Sequence, residues 1–428
     1  MTQTSYTPTP ETVTPGPDVQ SAERRKLAML AGIVAGGITL SVMTDTFPVV
    51  AFCIAMVAVV MIHEAAHFAA AKWSGMKATE FFFGFGPRLW SIRKGETEYG
   101  IKAIPFGGYV KIIGMSNLDR DIDPADEPRT YRQASYPKRM LVAMAGVITH
   151  FVMAFLLLVL LLTAVGVPNY EKPSLTIGNL SRLDTGAAPA VDAGFKVGDR
   201  IVSVDGQTVS RWEDVPPLIR GNAGRPVPFV VERDGARLNL TATPTQLEVD
   251  GQTRGFIGVG PKPTVERMNP VAASGRAVSD IWKLSTGSLK ALGSFFAPSS
   301  LRDYAGQLTN ANNDGPPAAG DDERFVSVVG VARIAGQAAE SGIFNVVYLL
   351  VLLNIFIGVF NLIPLLPLDG GHVAIGTYER LRSRAGRRYQ ADVGKMMPVA
   401  AAVIVLLVLI GVTSIYLDIV NPVANPFQ

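Results

Sequence analysis

The sequence predicts a multi-pass α-helical membrane protein with about five spans, a membrane-associated β-loop and a folded module outside the membrane. The chain of 428 residues is 48% hydrophobic and only 18% charged, and its mean hydropathy of +0.27 is too high for an ordinary soluble protein. Several apolar runs are long enough to cross a bilayer. Lys and Arg cluster between these runs, so the net charge of +3 informs topology and gives no sign of nucleic-acid binding.

The N-terminal segment, residues 1–26, is rich in Thr, Pro and Ser. We expect a disordered cytoplasmic tail there because it offers little apolar surface to bury. Three basic residues at 24–26 precede an apolar run over residues 27–43. A signal peptide has the same order, but the lead is long and no small-residue cleavage site precedes the next run. We therefore predict an additional, retained transmembrane helix at 27–43.

Four further apolar runs predict membrane-spanning helices, at residues 49–73, 140–167, 343–368 and 396–417. With five spans, the basic stretches 24–26, 77–139 and 380–395 fall on one side of the membrane. The positive-inside rule makes that side cytoplasmic. The N-terminus is then cytoplasmic, and the segment 168–342 and the C-terminus are extracytoplasmic.

Two segments between spans have strand-forming patterns. Residues 77–139 contain aromatic and β-branched residues broken by Gly and Pro, which predict short strands at the membrane interface, buried against helices or lining a cavity. Residues 174–244 have short alternating runs punctuated by Gly, Asp and Pro, which predict a small β-rich domain. After it we expect a loop at 306–324 and a helix near the membrane at 325–341.

The run at 49–73 contains His63-Glu64-Ala65-Ala66-His67. A charged side chain at the bilayer centre costs roughly 2.5 to 3.5 kcal/mol, so this cluster requires a compensating partner. On a helix, His63 and His67 lie one turn apart on the same face and can provide two ligands of a tetrahedral zinc ion. Glu64 is too close to be a third ligand and is left to act as general base on water. The pattern predicts a catalytic metal site inside the membrane.

A catalytic zinc site usually has three protein ligands, so a third must come from elsewhere in the chain. Asp369 is our first choice, because it follows the fourth span at the depth of His67, in a backbone interrupted by Pro and Gly. His372 and His150 are the alternatives, and His150 could instead hydrogen-bond across helices. The single cysteine, Cys53, has no partner for a disulfide within the chain, and we expect it to pack as a small hydrophobe.

The order of several motifs resembles the site-2 protease family, and more narrowly its bacterial PDZ-containing branch, the regulator of sigma-E protease type. The resemblance covers residues 44–421. It implies an intramembrane zinc metalloprotease with a four-span core, in which His63, His67 and Asp369 bind Zn²⁺ and Glu64 is the catalytic base. The motifs that carry it are His63 to His67, Gly84-Phe85-Gly86-Pro87, Gly107-Gly108-Tyr109-Val110-Lys111, and Asn361 through Asp369-Gly370-Gly371.

The resemblance also implies a division of the chain. The protease core is split between residues 44–167 and 343–428. The segment 168–245 corresponds to one extracytoplasmic α+β PDZ domain, and 246–342 to an extracytoplasmic linker with membrane-proximal helices.

Four further residues take their expected roles from the resemblance. The β-loop of the family pairs with extended substrate, which assigns substrate positioning to Gly107, Gly108 and Tyr109. Asn361 matches an Asn that positions the substrate or polarises its carbonyl.

The expected partners follow from the same resemblance. The substrate would be a single-span membrane protein already trimmed on its outer side, such as a membrane-bound anti-sigma factor in regulated intramembrane proteolysis and sigma factor signalling. The enzyme would be a multi-pass protein of the bacterial inner membrane, in contact with lipid and with no nucleic acid. The PDZ domain would contact peptide or act as a size filter.

One motif departs from the family. Many relatives have a Gly-Pro-x-x-Asn pattern in the second core span, where this chain reads Gly146-Val147-Ile148-Thr149-His150. Any role carried by that Asn is therefore open here.

Two other functions stay open at this point. A metal transporter could bind an ion in transit through the same side chains, although the span pattern has no internal repeat. A catalytically silent PDZ scaffold is disfavoured by the intact histidine pair with Glu64.

Overall fold

The computed structural model describes residues 17–115, 122–182, 186–249, 252–310, 325–383, 389–423 and 425–426. The chain forms two compact units. The first comprises Met1–Leu160 and Val271–Gln428, and the second is Leu161–Pro270.

Helices form most of the first unit. Within the described residues, five helical stretches are long and apolar enough to cross a membrane, at Arg24–Met43, Phe47–Trp73, Tyr136–Val165, Ile343–Asn361 and Val393–Val420. The prediction of a multi-pass membrane protein with five spans is therefore confirmed at this level. The helices of this unit are α1 (Pro17–Met43), α2 (Phe47–Trp73), α3 (Tyr136–Leu160), α6 (Pro270–Phe295), α7 (Pro298–Asn310), α8 (Val328–Ser341), α9 (Ile343–Asn361), α10 (Asp369–Arg382) and α11 (Met397–Val420).

The first helix begins earlier than the sequence predicts. The tail was expected to extend to residue 26, but α1 begins at Pro17. Proline is tolerated in the first helical turn because its missing N–H would have no partner there, and the Ala, Glu, Arg and Lys residues that follow are good helix formers. Residues 1–16 of the predicted tail lie outside the described residues.

The β-loop consists of two long strands instead of the short strands we predicted. Strands β1 (Ala78–Lys94) and β2 (Thr97–Ile112) pair antiparallel. Glu80–Phe83 align with Glu98–Ile101 on one side and with Gly108–Lys111 on the other, so the two strands together make a sheet of four paired segments. The strands change direction at glycines with positive φ, Gly84 and Gly86 in β1 and Gly107 in β2. This bending lets two strands build a compact sheet.

Two of the apolar clusters in the described part of the first unit join its spans to the neighbouring elements. One joins the end of α2, the start of α3 and the sheet through Ala71, Ala78, Ile112 and Val142. The other joins α3, α6 and α9 through Leu158, Ala277 and Ile355 and their neighbours. The segment 246–342 was expected to be a linker with membrane-proximal helices. Its helix α6 packs against two of the spans, because Ala273 and Ala277 are small enough for close approach.

The helices that follow α6 bear on two further expectations. The helix predicted at 325–341 is confirmed as α8, whose Ser327 side chain caps the N–H groups of Val329 and Gly330. The loop predicted at 306–324 is shorter at its start, because α7 continues to Asn310, and residues 311–324 lie outside the described residues.

The second unit is a β-rich domain with short helices. Its elements are β3 (Val167–Asn169), β4 (Ile177–Leu180), α4 (Pro189–Asp192), β5 (Arg200–Val204), β6 (Gln207–Thr208), α5 (Val215–Arg220), β7 (Val227–Arg233), β8 (Ala236–Ala242), β9 (Thr245–Val249), β10 (Gln252–Phe256), β11 (Val259–Pro261) and β12 (Thr264–Glu266). Four of the strands form a sheet in the order β6-β5-β7-β8, and the others form three pairs, β4 with β11, β9 with β10 and β3 with β12. The core is formed by Ile177, Ile201, Phe229, Val231 and Ile257 with their neighbours.

The boundary of this domain differs from the predicted 168–245. The unit extends to Pro270, because β11 and β12 pair with β4 and β3 near its beginning. Strand pairing between the two ends of a segment cannot be recognised from local composition, which is why the sequence placed the end too early.

Candidate metal centre

His63 and His67 lie on consecutive turns of α2 and face α3. Their side chains are buried, with residue exposures of 7% and 6%, and their Nε2 atoms are 3.1 Å apart. The Nδ1–H of His67 donates to the carbonyl oxygen of Val142 on α3, at 2.7 Å. This hydrogen bond leaves the lone pair of His67 on Nε2, which is the tautomer that a metal ligand requires.

Gly146 of α3 lies directly against the two imidazoles. A Cβ atom at this position would be 2.6 Å from His63 Nδ1 and closer still to other ring atoms of His63 and His67. Any larger residue would therefore displace the ligands. The sequence motif that contains Gly146 assigns this residue no role of its own. Its position one helical turn before the intramembrane His150 was the signal that could have suggested one.

Asp369 reaches the histidines because the backbone breaks between α9 and α10. The fourth span was predicted to continue to residue 368, but α9 ends at Asn361 and α10 begins at Asp369. Prolines in the intervening segment favour this break. A Cβ on Gly371 would be 2.7 Å from the backbone nitrogen of Leu366, so the glycines after Asp369 let the segment fold back onto the start of α10. Asp369 Oδ2 then lies 3.4 Å from His63 Nε2 and 3.3 Å from His67 Nε2.

The three side chains fit a divalent metal. One ligand atom from each of His63, His67 and Asp369 lies within 4.8 Å of the other two. Among the described residues, Asp369 Oδ2 is buried with no hydrogen-bond partner. Lone pairs that converge in a buried site repel one another unless a cation lies between them. Two imidazoles with one carboxylate are a ligand set typical of catalytic zinc.

The two alternative ligands, His150 and His372, are not part of this group within the described ranges. The ring of His150 lies 4.8 Å from that of His63, centroid to centroid, but its Nδ1 is 3.2 Å from Asn354 Oδ1 on α9. His372 lies edge-on to Tyr131, with ring centroids 6.4 Å apart. The choice of Asp369 over both histidines therefore agrees with the geometry.

Glu64 lies between the histidine pair and the sheet. The backbone N–H of Val110 in β2 donates to its carboxylate. A Cβ on Gly108 would be 3.3 Å from Glu64 Cγ and 2.8 Å from Met61 Sδ, so β2 approaches α2 this closely only because residue 108 has no side chain. Glu64 is thus held beside the three ligand atoms without being one of them, which is the place a general base requires.

The other predicted positioning residues are placed differently from one another. Gly107 forms the bend of β2, with φ of +95°. Tyr109 alternates with Gly108, and its ring stacks on Phe82, on the sheet face opposite Glu64. Its hydroxyl donates to the Glu80 carboxylate and accepts from Lys102 at 2.7 Å. Burial, together with the Glu80 carboxylate, raises the pKa of the Tyr109 hydroxyl, so it stays a donor.

Asn361 is the last residue of α9 and is half-buried. It lies at the helix break, eight positions before Asp369 along the chain. Of the residues predicted for the site, the structure brings His63, Glu64, His67, Asp369 and Gly108 together, and it does not direct Tyr109 toward them.

Comparison with known proteins identifies the family of this chain. The model of peptidase family M50 matches residues 51–409. The zinc metalloprotease Rip1 of Mycobacterium tuberculosis strain H37Rv is 33% identical over 407 residues, which cover 88% of this chain and 98% of the relative. The zinc metalloprotease Rip1 of Mycolicibacterium smegmatis is 33% identical over 411 residues, with the same coverage of both chains.

The match includes the histidine pair, the β-loop and the Asp369 turn, so the predicted membership is confirmed and an enzyme is favoured over a transporter or a silent scaffold. The buried group of two histidines and one aspartate could hold the zinc ion of such an enzyme. This chain belongs to peptidase family M50, the site-2 proteases, and is an intramembrane zinc metalloprotease.

Proposed function

We propose that the protein hydrolyses a peptide bond within or near the transmembrane segment of a single-span membrane protein. His63, His67 and Asp369 hold the zinc ion, and Glu64 is the general base. The observation that carries this proposal is the convergence of three buried ligand atoms, with Asp369 Oδ2 3.3 to 3.4 Å from both Nε2 atoms.

The residues support a direct attack of water on the peptide carbonyl. Zinc, when bound, supplies a positive charge that polarises the carbonyl and makes water more acidic. Glu64 takes one proton from the water molecule while the water oxygen bonds to the carbonyl carbon. When the C–N bond breaks, Glu64 returns that proton to the nitrogen of the leaving amine. Gly146 leaves room for the imidazoles, and Val110 fixes the carboxylate for both transfers.

The sheet offers an extended substrate a place beside Glu64. Gly108–Lys111 form an outer segment of the sheet, because β1 pairs with them on one side only. The N–H of Val110 already points to the Glu64 carboxylate. A transmembrane helix hides its amides until it unwinds, and strand addition to an edge would hold the unwound segment open. Gly107 and Gly108 position the substrate by their backbone, and Asn361, at the end of α9, is a further candidate for this role.

The orientation of the chain in the membrane determines which part of the substrate each domain contacts. The clustered Lys and Arg residues support a cytoplasmic N-terminus and β-loop, in a bacterial cell membrane. The β-rich unit Leu161–Pro270 is then an extracytoplasmic PDZ domain, and the C-terminus lies on the same side. In this arrangement the PDZ domain restricts access to substrates already shortened on their outer side, such as an anti-sigma factor.

Cleavage of a membrane-embedded single-span reporter tests the proposal. In Glu64→Gln, zinc content should be retained and cleavage should be lost, because only the proton acceptor is removed. In Asp369→Ala, both zinc and cleavage should be lost. Glu340→Gln, at an exposed position of α8, is the matched control and should keep both. Retained cleavage in Glu64→Gln would refute the assignment of the base, and retained zinc in Asp369→Ala that of the third ligand.

A second experiment tests whether the β-rich unit restricts access to substrates with a large outer domain. Reporters with and without their outer domain are compared in the intact protein and in a variant lacking the β-rich unit. If the β-rich unit restricts access, the variant should cleave the longer reporter faster than the intact protein does. Equal cleavage of both reporters by the intact protein would refute this restriction.

A further inference from the structure

His150 and Asn354 form a hydrogen-bonded pair between α3 and α9 that the catalytic chemistry does not use. Both are fully buried, with exposures of 1% and 0%. His150 Nδ1 lies 3.2 Å from Asn354 Oδ1. Burying two polar side chains inside a membrane-spanning bundle costs free energy, and such residues usually mark a functional site. The pair therefore requires an explanation.

The hydrogen bonds around Asn354 fix the orientation of both side chains. Asn354 Nδ2 donates to the Leu350 carbonyl one turn earlier, at 2.9 Å. The amide oxygen therefore faces His150, and because this oxygen can only accept, Nδ1 of His150 must carry the proton. The pair has one arrangement of donors and acceptors, and a single arrangement holds the imidazole plane in one orientation.

That imidazole lies against a zinc ligand. The rings of His150 and His63 have centroids 4.8 Å apart and planes inclined by 40°. His150 lies one turn after Gly146, whose missing side chain admits the His63 ring on the same face of α3. The buried His63 Nδ1 lies beside the backbone of Gly146. His67 is oriented by the Val142 carbonyl, and the His63 ring packs against the His150 ring.

The other end of the pair is on the helix that leads to Asp369. Asn354 lies one turn before Gly358, and a Cβ on Gly358 would be 3.2 Å from His150 Cβ, so the α9 backbone approaches α3 closely at this point. Seven residues after Asn354, α9 ends at Asn361. The pair thus connects the helix of one histidine ligand with the helix that precedes the aspartate ligand.

We propose that His150 and Asn354 are positioning residues for the metal centre: their hydrogen bond holds the His150 ring against His63 and so fixes the direction of His63 Nε2 toward Asp369. The inference rests on the proposed zinc ligands. It also accounts for the departure at His150, because histidine keeps a donor nitrogen near the position where the amide nitrogen of asparagine would lie and adds a ring that can pack on His63.

Zinc affinity of the purified full-length protein tests the proposal without relying on cleavage. His150→Phe keeps a ring but removes the donor, and Asn354→Leu keeps the size but removes the acceptor. Each should weaken zinc binding by about 10-fold, the usual loss when a group that orients a ligand is removed. Because both changes remove the same hydrogen bond, the double variant should lose no more than either single variant.

The matched control is Thr149→Val, which removes a hydrogen bond from the neighbouring position of α3, where Thr149 Oγ1 donates to the Ala145 carbonyl at 2.8 Å. It should leave zinc affinity unchanged. Cobalt substitution adds a second measurement, because the d–d absorption of Co²⁺ reports ligand geometry and should shift in His150→Phe and Asn354→Leu but not in the control.

Three outcomes would contradict the proposal. Unchanged zinc affinity in both single variants would mean that the pair only joins α3 to α9. Additive losses would mean that the two residues act separately. A loss in His150→Phe as large as in His63→Ala would make His150 a ligand. If instead His63→Ala left zinc affinity unchanged, the proposed function itself would fail. If Asn354→Leu does not fold, the zinc affinity of His150→Phe, compared with that of Thr149→Val, still tests the proposal.

Discussion

The two sides of the metal centre are built in opposite ways. On one side, an uninterrupted helix, α2, places His63 and His67 at a fixed spacing of one turn. On the other, α9 breaks, and the chain folds back before α10 presents Asp369. The first arrangement needs only regular geometry, whereas the second depends on close backbone approach at Gly370 and Gly371. Ligand pairs on one helix are therefore locally encoded, and the third ligand depends on tertiary packing.

The anchors of the two sides differ as well. The broken side is fastened to α3 by a buried ion pair, in which Arg139 donates to Glu379 of α10 at 2.6 Å. Glu379 also accepts from the N–H of Ala391. The continuous side ends in a more exposed group, where Lys72 and Arg129 both pair with Glu96. A buried pair and an exposed one should respond differently when they are broken.

Removing the buried anchor should have the largest effect. Arg139→Met leaves the Glu379 carboxylate, 6% exposed, without its counter-charge, which should cost about 3 kcal/mol of stability. Thermal unfolding in detergent measures this loss. Glu379→Gln should cost less than Arg139→Met, because the amide oxygen can still accept from one of the two donors, Arg139 or the Ala391 N–H, and no buried carboxylate is left without a counter-charge. Equal unfolding temperatures for Arg139→Met and the parent would show that α10 is held by other contacts.

The next effect tests the continuous side. Gly146→Ala places a methyl group among the imidazole atoms of His63 and His67 and should weaken zinc binding by roughly 100-fold. Gly411→Ala in α11 is the matched control, since a Cβ there meets nothing within 4 Å. Metal competition with a chelating indicator measures both. If the two variants bound zinc equally well, α3 would not confine the ligands as described.

Gly371→Ala tests the broken side and should have a smaller effect. The added Cβ would be 2.7 Å from the Leu366 nitrogen, so the loop must shift and carry Asp369 with it. Zinc affinity should fall by about 10-fold, since overpacking in such places costs roughly 1 to 3 kcal/mol. The same competition assay applies. A loss larger than that of Gly146→Ala would reverse our ranking of the two sides.

The smallest effect concerns the exposed anchor and pH. Hydrogen bonds from Arg129, and then Lys72, lower the pKa of Glu96 from its ordinary value of 4.5 to about 2. The ionised carboxylate therefore stabilises the folded state above pH 4.5, and this contribution is lost as the pH falls toward 2. Glu96→Gln should lower the unfolding temperature slightly at pH 7, less so in high salt.

The same variant should flatten the acid limb of the profile. Between pH 4.5 and 2.5 the parent should lose more stability than Glu96→Gln. Parallel melting curves for the two proteins across this range would show that Glu96 does not contribute through its charge.

Much of the membrane part could be predicted from the sequence, because span length, histidine spacing and charge clustering are local properties. The histidine pair and Glu64 were predicted from such signals, whereas Asp369 was chosen from the order and depth of the spans. Asn354 could not be found this way, because its importance lies in the His150 side chain that reaches it from α3. For Gly146, the position one turn before His150 was a local signal, but the imidazoles that lie against it come from α2.

The roles of Gly108 and Tyr109 are separated by the alternation of side chains along β2. Tyr109 and Gly108 are adjacent in one motif, and the motif alone gave both the same role. In a strand they face opposite sides, and only the close approach of Gly108 to α2 shows which side meets Glu64. The end of the β-rich domain was missed for a related reason, since it depends on strands that meet across a hundred residues.

The pairing of β3 with β12 has a consequence for the history of such chains. These strands bring the entrance and the exit of the β-rich domain side by side. An insertion whose two ends are neighbours can be exchanged for another module, doubled or deleted without rethreading the host. Evolution can therefore change this domain while the metal centre stays as it is.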